Sequence, residues 1–261
     1  MQNRFDLTKS DFAYFYGFIQ ADGSLSGGTR NRGRLRIEVG YKDCSLLEKF
    51  KELLPYNSSI RVRERDTNFK EGYKSAILSV YSLGLREDLI SLGMSYGKKS
   101  DSIAPMPDNC SINDYFRGII DGDGSLGITA QGFPFISLVT ESDTLKDEYL
   151  AFLKTVTGKT KTVRRNTRDN VYNIVVYKED AQELVKALNY QKGLCLDRKK
   201  KKAEEVLNWV RPAGMRKVTN QKPWTAEEDN YVLTHSVQEA AEHLGRTLSS
   251  VKNRKFRLRS R

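Results

Sequence analysis

The chain has 261 residues, with 44 Lys and Arg against 33 Asp and Glu, for a net charge of +11. Hydrophobic residues make up 38% of it, which suits one large globular unit or two smaller ones, and no stretch approaches the ~18 apolar residues of a membrane span. The scattered Cys44, Cys110 and Cys195 form no CxxC pair, which excludes a disulfide framework and a structural zinc site. His235 and His243 have no cysteine beside them and make a poor zinc pair. The opening residues MQNRFDLTKSDF hold no apolar signal core, so the expectation is a soluble, cytoplasmic protein. A basic surplus of this size fits a polyanionic partner, because neutralising phosphates releases counterions.

The first element is a helix over Phe12, Phe15, Phe18 and Ile19 that stops at Asp22-Gly23. An alternating run follows from Arg30 to Gly40. In it Arg30, Arg32, Arg34 and Arg36 share one side, and Leu35, Ile37 and Val39 take the other. Period two predicts a half-buried strand with a basic open face. Leu46, Leu47, Phe50, Leu53 and Leu54 then fall at helical spacing, closed by Pro55. Arg61, Arg63 and Arg65 alternate with Ile60 and Val62, a further strand runs from Tyr73 to Tyr81, and a helix covers Arg86 to Gly93. Solvated sheet faces usually mix their signs, so a face this rich in arginine favours a nucleic-acid surface.

The segment Tyr14-Phe-Tyr-Gly-Phe-Ile-Gln-Ala-Asp-Gly-Ser-Leu25 returns as Tyr115-Phe-Arg-Gly-Ile-Ile-Asp-Gly-Asp-Gly-Ser-Leu126, 101 positions later. The second copy is followed by the same order: a strand at Phe133–Thr140, a helix at Leu145–Val156, strands at Lys159–Arg165 and Val171–Tyr177, and a helix at Asp180–Leu188. A last helix, Lys199 to Val210, caps it. The expected fold is α+β, with two pseudo-symmetric αββαββα units over residues 1–105 and 106–210 and antiparallel saddle-shaped sheets. Gly17 and Gly118 sit mid-helix, where glycine costs about 1 kcal/mol relative to alanine. Two such costs at matching places predict that the helices pack backbone to backbone there. Their C-terminal ends would then meet and bring Asp22 and Asp123 together. Gly23 and Gly124 are expected in the left-handed turn that ends a helix. Two carboxylates at the negative ends of helix dipoles repel each other, and divalent cations relieve both effects. Taken singly, either Asp-Gly is an ordinary polar helix end; the repeated pair is not. A calcium loop on Asp121-Gly-Asp-Gly-Ser125 fails, because Leu126 and Gly132 stand where Gly and Glu are required.

The stretches Phe15-Tyr-Gly-Phe-Ile-Gln-Ala-Asp-Gly23 and Phe116-Arg-Gly-Ile-Ile-Asp-Gly-Asp-Gly124 closely resemble the paired motifs of the LAGLIDADG endonucleases. With the repeat architecture, the resemblance spans roughly residues 8 to 210. It implies a monomer whose sheets saddle a long target in double-stranded DNA, needing no protein partner, and that makes staggered cuts leaving short 3′ overhangs. It implies metal sites built from Asp22 and Asp123 with Ala21 and Gly122, occupied by Mg²⁺ or Mn²⁺, and Ca²⁺ binding without cleavage. Gln20 departs from the family, which often has Asp at that sixth letter. Basic residues near the scissile phosphate map to Lys99 and Lys199, which follow the two acids by 77 and 76 positions. The alternative for Lys199 to Lys202 is a solvated charge run. The polar residues that complete the water network map to Tyr41 and Glu141, where tyrosine departs from the usual Gln or Glu. The DNA contacts map to Arg30, Arg32, Arg34, Arg36, Arg61, Arg63 and Arg65, plus Lys161 and Arg165. Two other readings stay open on the same scaffold: an RNA-splicing maturase and a non-cleaving DNA-binding regulator. Both acids are retained, which argues for cleavage.

Residues 211–221 contain Pro212, Gly214 and several charges and read as a linker. Residues 222–261 then give three short helices. Thr225 with Glu228 forms a capping box on the first, Val237–Leu244 is the second, and the third begins near Thr247. The start Pro223-Trp-Thr-Ala-Glu-Glu-Asp229 is similar to Myb/SANT-like modules. That resemblance implies a helix-turn-helix whose last helix offers Lys252, Asn253, Arg254, Lys255 and Arg257 to DNA. The alternative is a basic helix that touches phosphates without reading sequence.

Overall fold

A computed structural model describes residues 5–67, 70–97, 101–215 and 223–259. Two compact units result, Met1–Val210 and Arg211–Arg261. In the first, the apolar faces of both repeats join in one core.

The first repeat runs α1 (Ser10–Asp22), β1 (Gly23–Leu25), β2 (Leu35–Gly40), α2 (Cys44–Leu53), β3 (Ser58–Thr67), β4 (Lys70–Val80) and α3 (Leu83–Ser91). Its antiparallel sheet has the order β1-β2-β4-β3. Leu35, Ile37, Val39, Ala76, Leu78 and Val80 point into the core, as their period-two spacing requires. The second repeat runs α4 (Ile112–Asp123), β5 (Gly124–Ile128), β6 (Pro134–Thr140), α5 (Asp143–Thr157), β7 (Tyr172–Tyr177), α6 (Lys178–Leu188) and α7 (Asp197–Leu207). Its sheet is β5-β6-β7.

Three sequence expectations are corrected. Arg30–Arg32 form a 3₁₀ turn rather than the start of a strand, with Arg30 at φ 51°. The buried Arg86 side chain from α3 explains it: its guanidinium donates to the carbonyls of Gly28 and Arg30, and its Nη1 stands 2.6 Å from where a Cβ at Gly33 would lie. Lys159–Arg165 is not a strand either, so the second repeat is one strand short. In that stretch only Val163 has a side chain to bury. Lys159 pairs with Asp180 at 2.6 Å, and Arg165 turns inward to Asp143 and the carbonyls of Glu141 and Asn170. Finally, Gly23 and Gly124 are extended, with φ −81° and −102°, and open β1 and β5. Their glycine identity answers crowding instead: a Cβ would fall 2.6 Å from the Ile19 carbonyl at Gly23 and 2.8 Å from that of Ile120 at Gly124.

The second unit has α8 (Ala226–Thr234), α9 (Val237–Leu244) and α10 (Leu248–Arg259) around Val232, Ala240, Ala241 and Val251. Capping boxes start α8 at Thr225 with Glu228 and α9 at Ser236 with Glu239. Gly245, at φ 60°, closes α9 in the left-handed conformation.

Candidate active site and nucleic-acid surface

Helices α1 and α4 meet along their glycines. A Cβ at Gly17 would lie 2.1 Å from the Tyr115 carbonyl oxygen, and one at Gly118 would lie 2.2 Å from that of Tyr14. No side chain fits between them, so the backbones touch. The close approach continues to the C-terminal ends, where a Cβ at Gly122 would lie 2.4 Å from the Ala21 Cβ and 3.6 Å from the Asp22 carboxyl carbon. Asp22 and Asp123, both solvent-exposed, therefore stand on adjoining helix ends, beside Ala21 and Gly122.

An open cavity of about 420 Å³ lies at this junction, its lining including Gln20 and Ala21 of α1, Gly23 of β1, Asp123 and Glu141. Glu141 follows β6, so the lining holds two carboxylates. Tyr41, its counterpart in the first repeat, sits in a 3₁₀ turn, 48% exposed. Lys99 lies outside the described residues. The donor set of carboxylates with adjacent backbone carbonyls is all oxygen, which fits Mg²⁺ or Mn²⁺ rather than a thiolate-loving metal.

Lys199 is 3% exposed. Its ammonium donates to three carbonyl oxygens at the end of α4, those of Ile120, Asp121 and Gly124, the last two at 2.8 and 2.9 Å. A cation there offsets the negative end of the α4 dipole, and both Asp22 and Asp123 act on it electrostatically. Burial brings the lysine down to about 8, against the pull of the Asp121 carboxylate and with a push from Arg198.

Asp121 was not singled out as a site residue from sequence. It is 1% exposed and accepts from the Tyr14 hydroxyl at 2.7 Å, the Tyr190 hydroxyl at 3.0 Å and the Leu196 amide at 2.8 Å. Burial raises its carboxyl, opposed by nearby Lys199 and these hydrogen bonds. Tyr14 belongs to α1, so this cluster also ties the two repeats together. In the first repeat Gln20 replaces Asp121 and donates instead to the Tyr16 hydroxyl at 2.7 Å. The available signal was a carboxylate inside an otherwise apolar helix face, aligned with a neutral Gln20.

The two sheets present different open faces. On the first, Arg36, Arg61, Arg63 and Arg65 lie on strands β2 and β3, with Arg34 just before β2. Across β4 their neighbours are Tyr73, Ser75, Ile77 and Ser79. The open face of the second sheet holds no charge: its residues are Ser125 and Gly127 of β5, Phe135, Ser137 and Val139 of β6, and Asn173, Val175 and Tyr177 of β7. Arg30 and Arg32 are carried on the turn that Arg86 holds, and Lys161 lies in the irregular segment. Arg165 stacks over Tyr172, 4.5 Å from the ring centre.

In the second unit, Arg254 is held by Asp229 at 2.6 Å and Lys255 by the His235 carbonyl. Both tie α10 to α8 and its C-terminal end. Lys252, Asn253 and Arg257 are exposed along α10. Arg246 pairs with the buried Glu228 at 2.7 Å and lies 3.9 Å above the Trp224 ring.

Among the described residues no helix is long and apolar enough to cross a membrane. Comparison with curated proteins gives no match. Among solved structures, the chain is similar to the LAGLIDADG homing endonuclease I-GzeII in complex with its DNA target, at 15% identity and TM-score 0.50, over 74% of this chain and 87% of that one. Two other similar structures are I-LtrWI bound to target DNA (11% identity, TM-score 0.47, 77% and 89% covered) and the N-terminal LAGLIDADG domain of DUF199/WhiA (16%, 0.47, 73% and 86%). Residues 112–189 match the family model of the LAGLIDADG-like domain, and the chain carries the LAGLIDADG fold, an α+β arrangement of antiparallel sheets behind two central helices.

Proposed function

We propose that this protein is a site-specific DNA endonuclease that makes a staggered double-strand break by divalent-metal-dependent phosphodiester hydrolysis, acting as a monomer. The observation that carries the proposal is the contact of α1 and α4 at Gly17 and Gly118, which places Asp22 and Asp123 on adjoining helix ends. A cleft that must hold two like charges together favours a doubly charged counter-ion and a polyanionic substrate bridging through it. The similar I-GzeII was solved with its DNA target, which agrees with duplex DNA as the partner.

In this reading Asp22 and Asp123, with the carbonyls of Ala21 and Gly122, hold Mg²⁺ or Mn²⁺, and Ca²⁺ binds without supporting cleavage. When bound, such an ion supplies an activated water and stabilises the leaving oxygen. Glu141 orients water beside Asp123 in the cavity they line; Tyr41 takes that place in the other half-site, and Lys99 the phosphate-facing place. Lys199 contributes from beneath: its three N–H groups are spent on the end of α4, so it shapes the field around Asp123 without reaching a phosphate itself. The arginines of the first sheet face grip one half of a long site, and the second unit adds a flanking contact through Lys252, Asn253 and Arg257.

The test is substitution of each acid on the full chain. Asp22→Asn and Asp123→Asn should each abolish double-strand cleavage while leaving DNA binding within a few-fold of the parent. Undiminished double-strand cleavage by both variants would reject this site. Tight, sequence-selective binding with no cleavage by the parent would move the assignment to a non-cleaving regulator or a maturase.

A further inference from the structure

The open face of the first sheet carries five arginines, and among its described outward-facing residues on β2, on β3 up to Arg65 and on β4 from Tyr73 to Ser79, Glu38 on β2 is the one carboxylate. An acid amid arginines on a surface meant for phosphates weakens binding, so its presence needs a reason. Both of its oxygens are engaged, by partners from three adjacent strands. Oε2 accepts from Arg36 Nη2 at 2.6 Å. Oε1 accepts from the Ser75 hydroxyl at 2.7 Å and faces Arg65 Nη2 at 3.7 Å. Ser75 is buried and lies on β4 between the two arginine-bearing strands, so it anchors the carboxylate at the middle of the sheet. Among the described residues no carboxylate pairs with Arg61 or Arg63, and their side chains lie in solvent on β3.

Held and unheld arginines suit different tasks. A phosphate can be met by a flexible cation from many directions, and such contacts carry no sequence information. Reading guanine requires a guanidinium fork aimed at O6 and N7 together, and an arginine already fixed in that aim loses less rotamer entropy when it binds. A carboxylate nearby also weakens binding to every DNA alike, which lowers non-specific affinity but leaves discrimination to the fixed aim of the arginine forks.

We infer that Glu38 is a specificity-determining residue: it holds Arg36 and Arg65 as the guanine-reading pair of the first half-site, while Arg61 and Arg63 grip phosphates. This rests on the DNA-binding reading above and adds a division of labour within it. It predicts effects of opposite sign for one substitution. Glu38→Gln removes a negative charge from the interface, so affinity for non-specific DNA rises several-fold and log K falls more steeply with log salt. The same change frees the two arginines, so discrimination falls.

The experiment uses the full chain in Ca²⁺ and in EDTA, so that it reads binding alone. A target is first selected from a randomised duplex library, and each guanine of the bound half-site is then replaced by 7-deazaguanine, which lacks only the N7 acceptor. The parent should lose on the order of 10-fold in affinity at one or two of these guanines. Glu38→Gln should lose no more than about 2-fold at the same guanines while binding non-specific DNA more tightly. Ser75→Ala, which removes the anchor but no charge, should lower discrimination without raising non-specific affinity. Arg61→Ala should weaken selected and non-specific duplexes alike. Discrimination by Glu38→Gln equal to the parent's, or a uniform loss on every DNA, overturns the inference and leaves the endonuclease reading standing. Failure to select any sequence overturns both.

Discussion

Replacing Gly118 by alanine probes the contact on which the site depends. In an isolated helix the change is favourable by about 1 kcal/mol, because alanine is the better helix former. Here the new Cβ would stand 2.2 Å from the Tyr14 carbonyl oxygen and 2.6 Å from the Phe18 amide nitrogen, where ordinary contact begins near 3.4 Å. Both obstacles are backbone atoms, which cannot rotate away as a flexible side chain can, so α1 and α4 must part by on the order of 1 Å. Overpacking of this kind costs about 1–3 kcal/mol, and backbone obstruction places this case toward the top of that range. Set against the propensity gain, the net loss is about 1–2 kcal/mol, a fall in Tm of about 2–8 °C for a chain of this size. The functional effect should be larger, because a displacement of 1 Å between groups that act together costs about 100-fold in rate. Thermal unfolding followed by circular dichroism gives the first quantity, and initial rates of plasmid cleavage give the second. Gly27→Ala is the control, since a Cβ there meets only the Tyr96 ring at ordinary distance, 3.9 Å. A Gly118→Ala protein with the Tm and cleavage rate of the parent would refute the backbone-contact reasoning.

Lys199 should leave a mark on pH dependence. Its folded-state pKa is depressed to about 8, against ~10.4 for a free lysine. Between those values the unfolded chain binds more protons than the folded one, so this residue makes stability rise with pH across the window and contributes no slope below it. Denaturant titrations from pH 7.5 to 10 should show a more positive slope for the parent than for Lys199→Gln; equal slopes would contradict the assignment of a charged, buried lysine. Deleting residues 222–261 should leave a soluble core that still cleaves but binds its target more weakly, since residues 211–261 form a compact unit with a core of their own. An insoluble product would argue against that independence. The capping box at Thr225 gives a local check: Thr225→Ala should cost about 1 kcal/mol in the stability of the second unit without changing cleavage by the first.

Most of the architecture was legible because it is written in periods. The 101-residue repeat announced two matching units, and the apolar alternation of Leu35, Ile37 and Val39 fixed which side of β2 faces the core. The paired Gly17 and Gly118 could be read from their cost alone, since a glycine repeated mid-helix implies a neighbour too close for a Cβ. What escaped was decided by partners distant in sequence. The alternation of arginines from Arg30 looked like strand, yet Arg86, 56 positions further on, draws that segment into a turn. Lys159–Arg165 also alternates, but Lys159 and Arg165 find acids in their own unit, and one valine supplies too little apolar surface to hold a strand on the core. The family resemblance, with the matching spacings from the two acids, points to Lys199 but not to its burial, because neither says which side of a helix end a lysine approaches. The Asp121 cluster needs Tyr14 from one repeat and Tyr190 from the other, an association that only the folded contact of α1 and α4 creates.

Metal-dependent cleavage at a defined site can be read straight from the DNA ends that the protein leaves. The full chain is incubated with a randomised or genomic duplex library in Mg²⁺ and, in parallel, in EDTA, and the resulting DNA ends are sequenced. Discrete ends with short 3′ overhangs at one long sequence are expected in Mg²⁺, and none in EDTA. Ends scattered without sequence preference, or tight selection of a sequence that stays intact in Mg²⁺, would contradict the endonuclease reading.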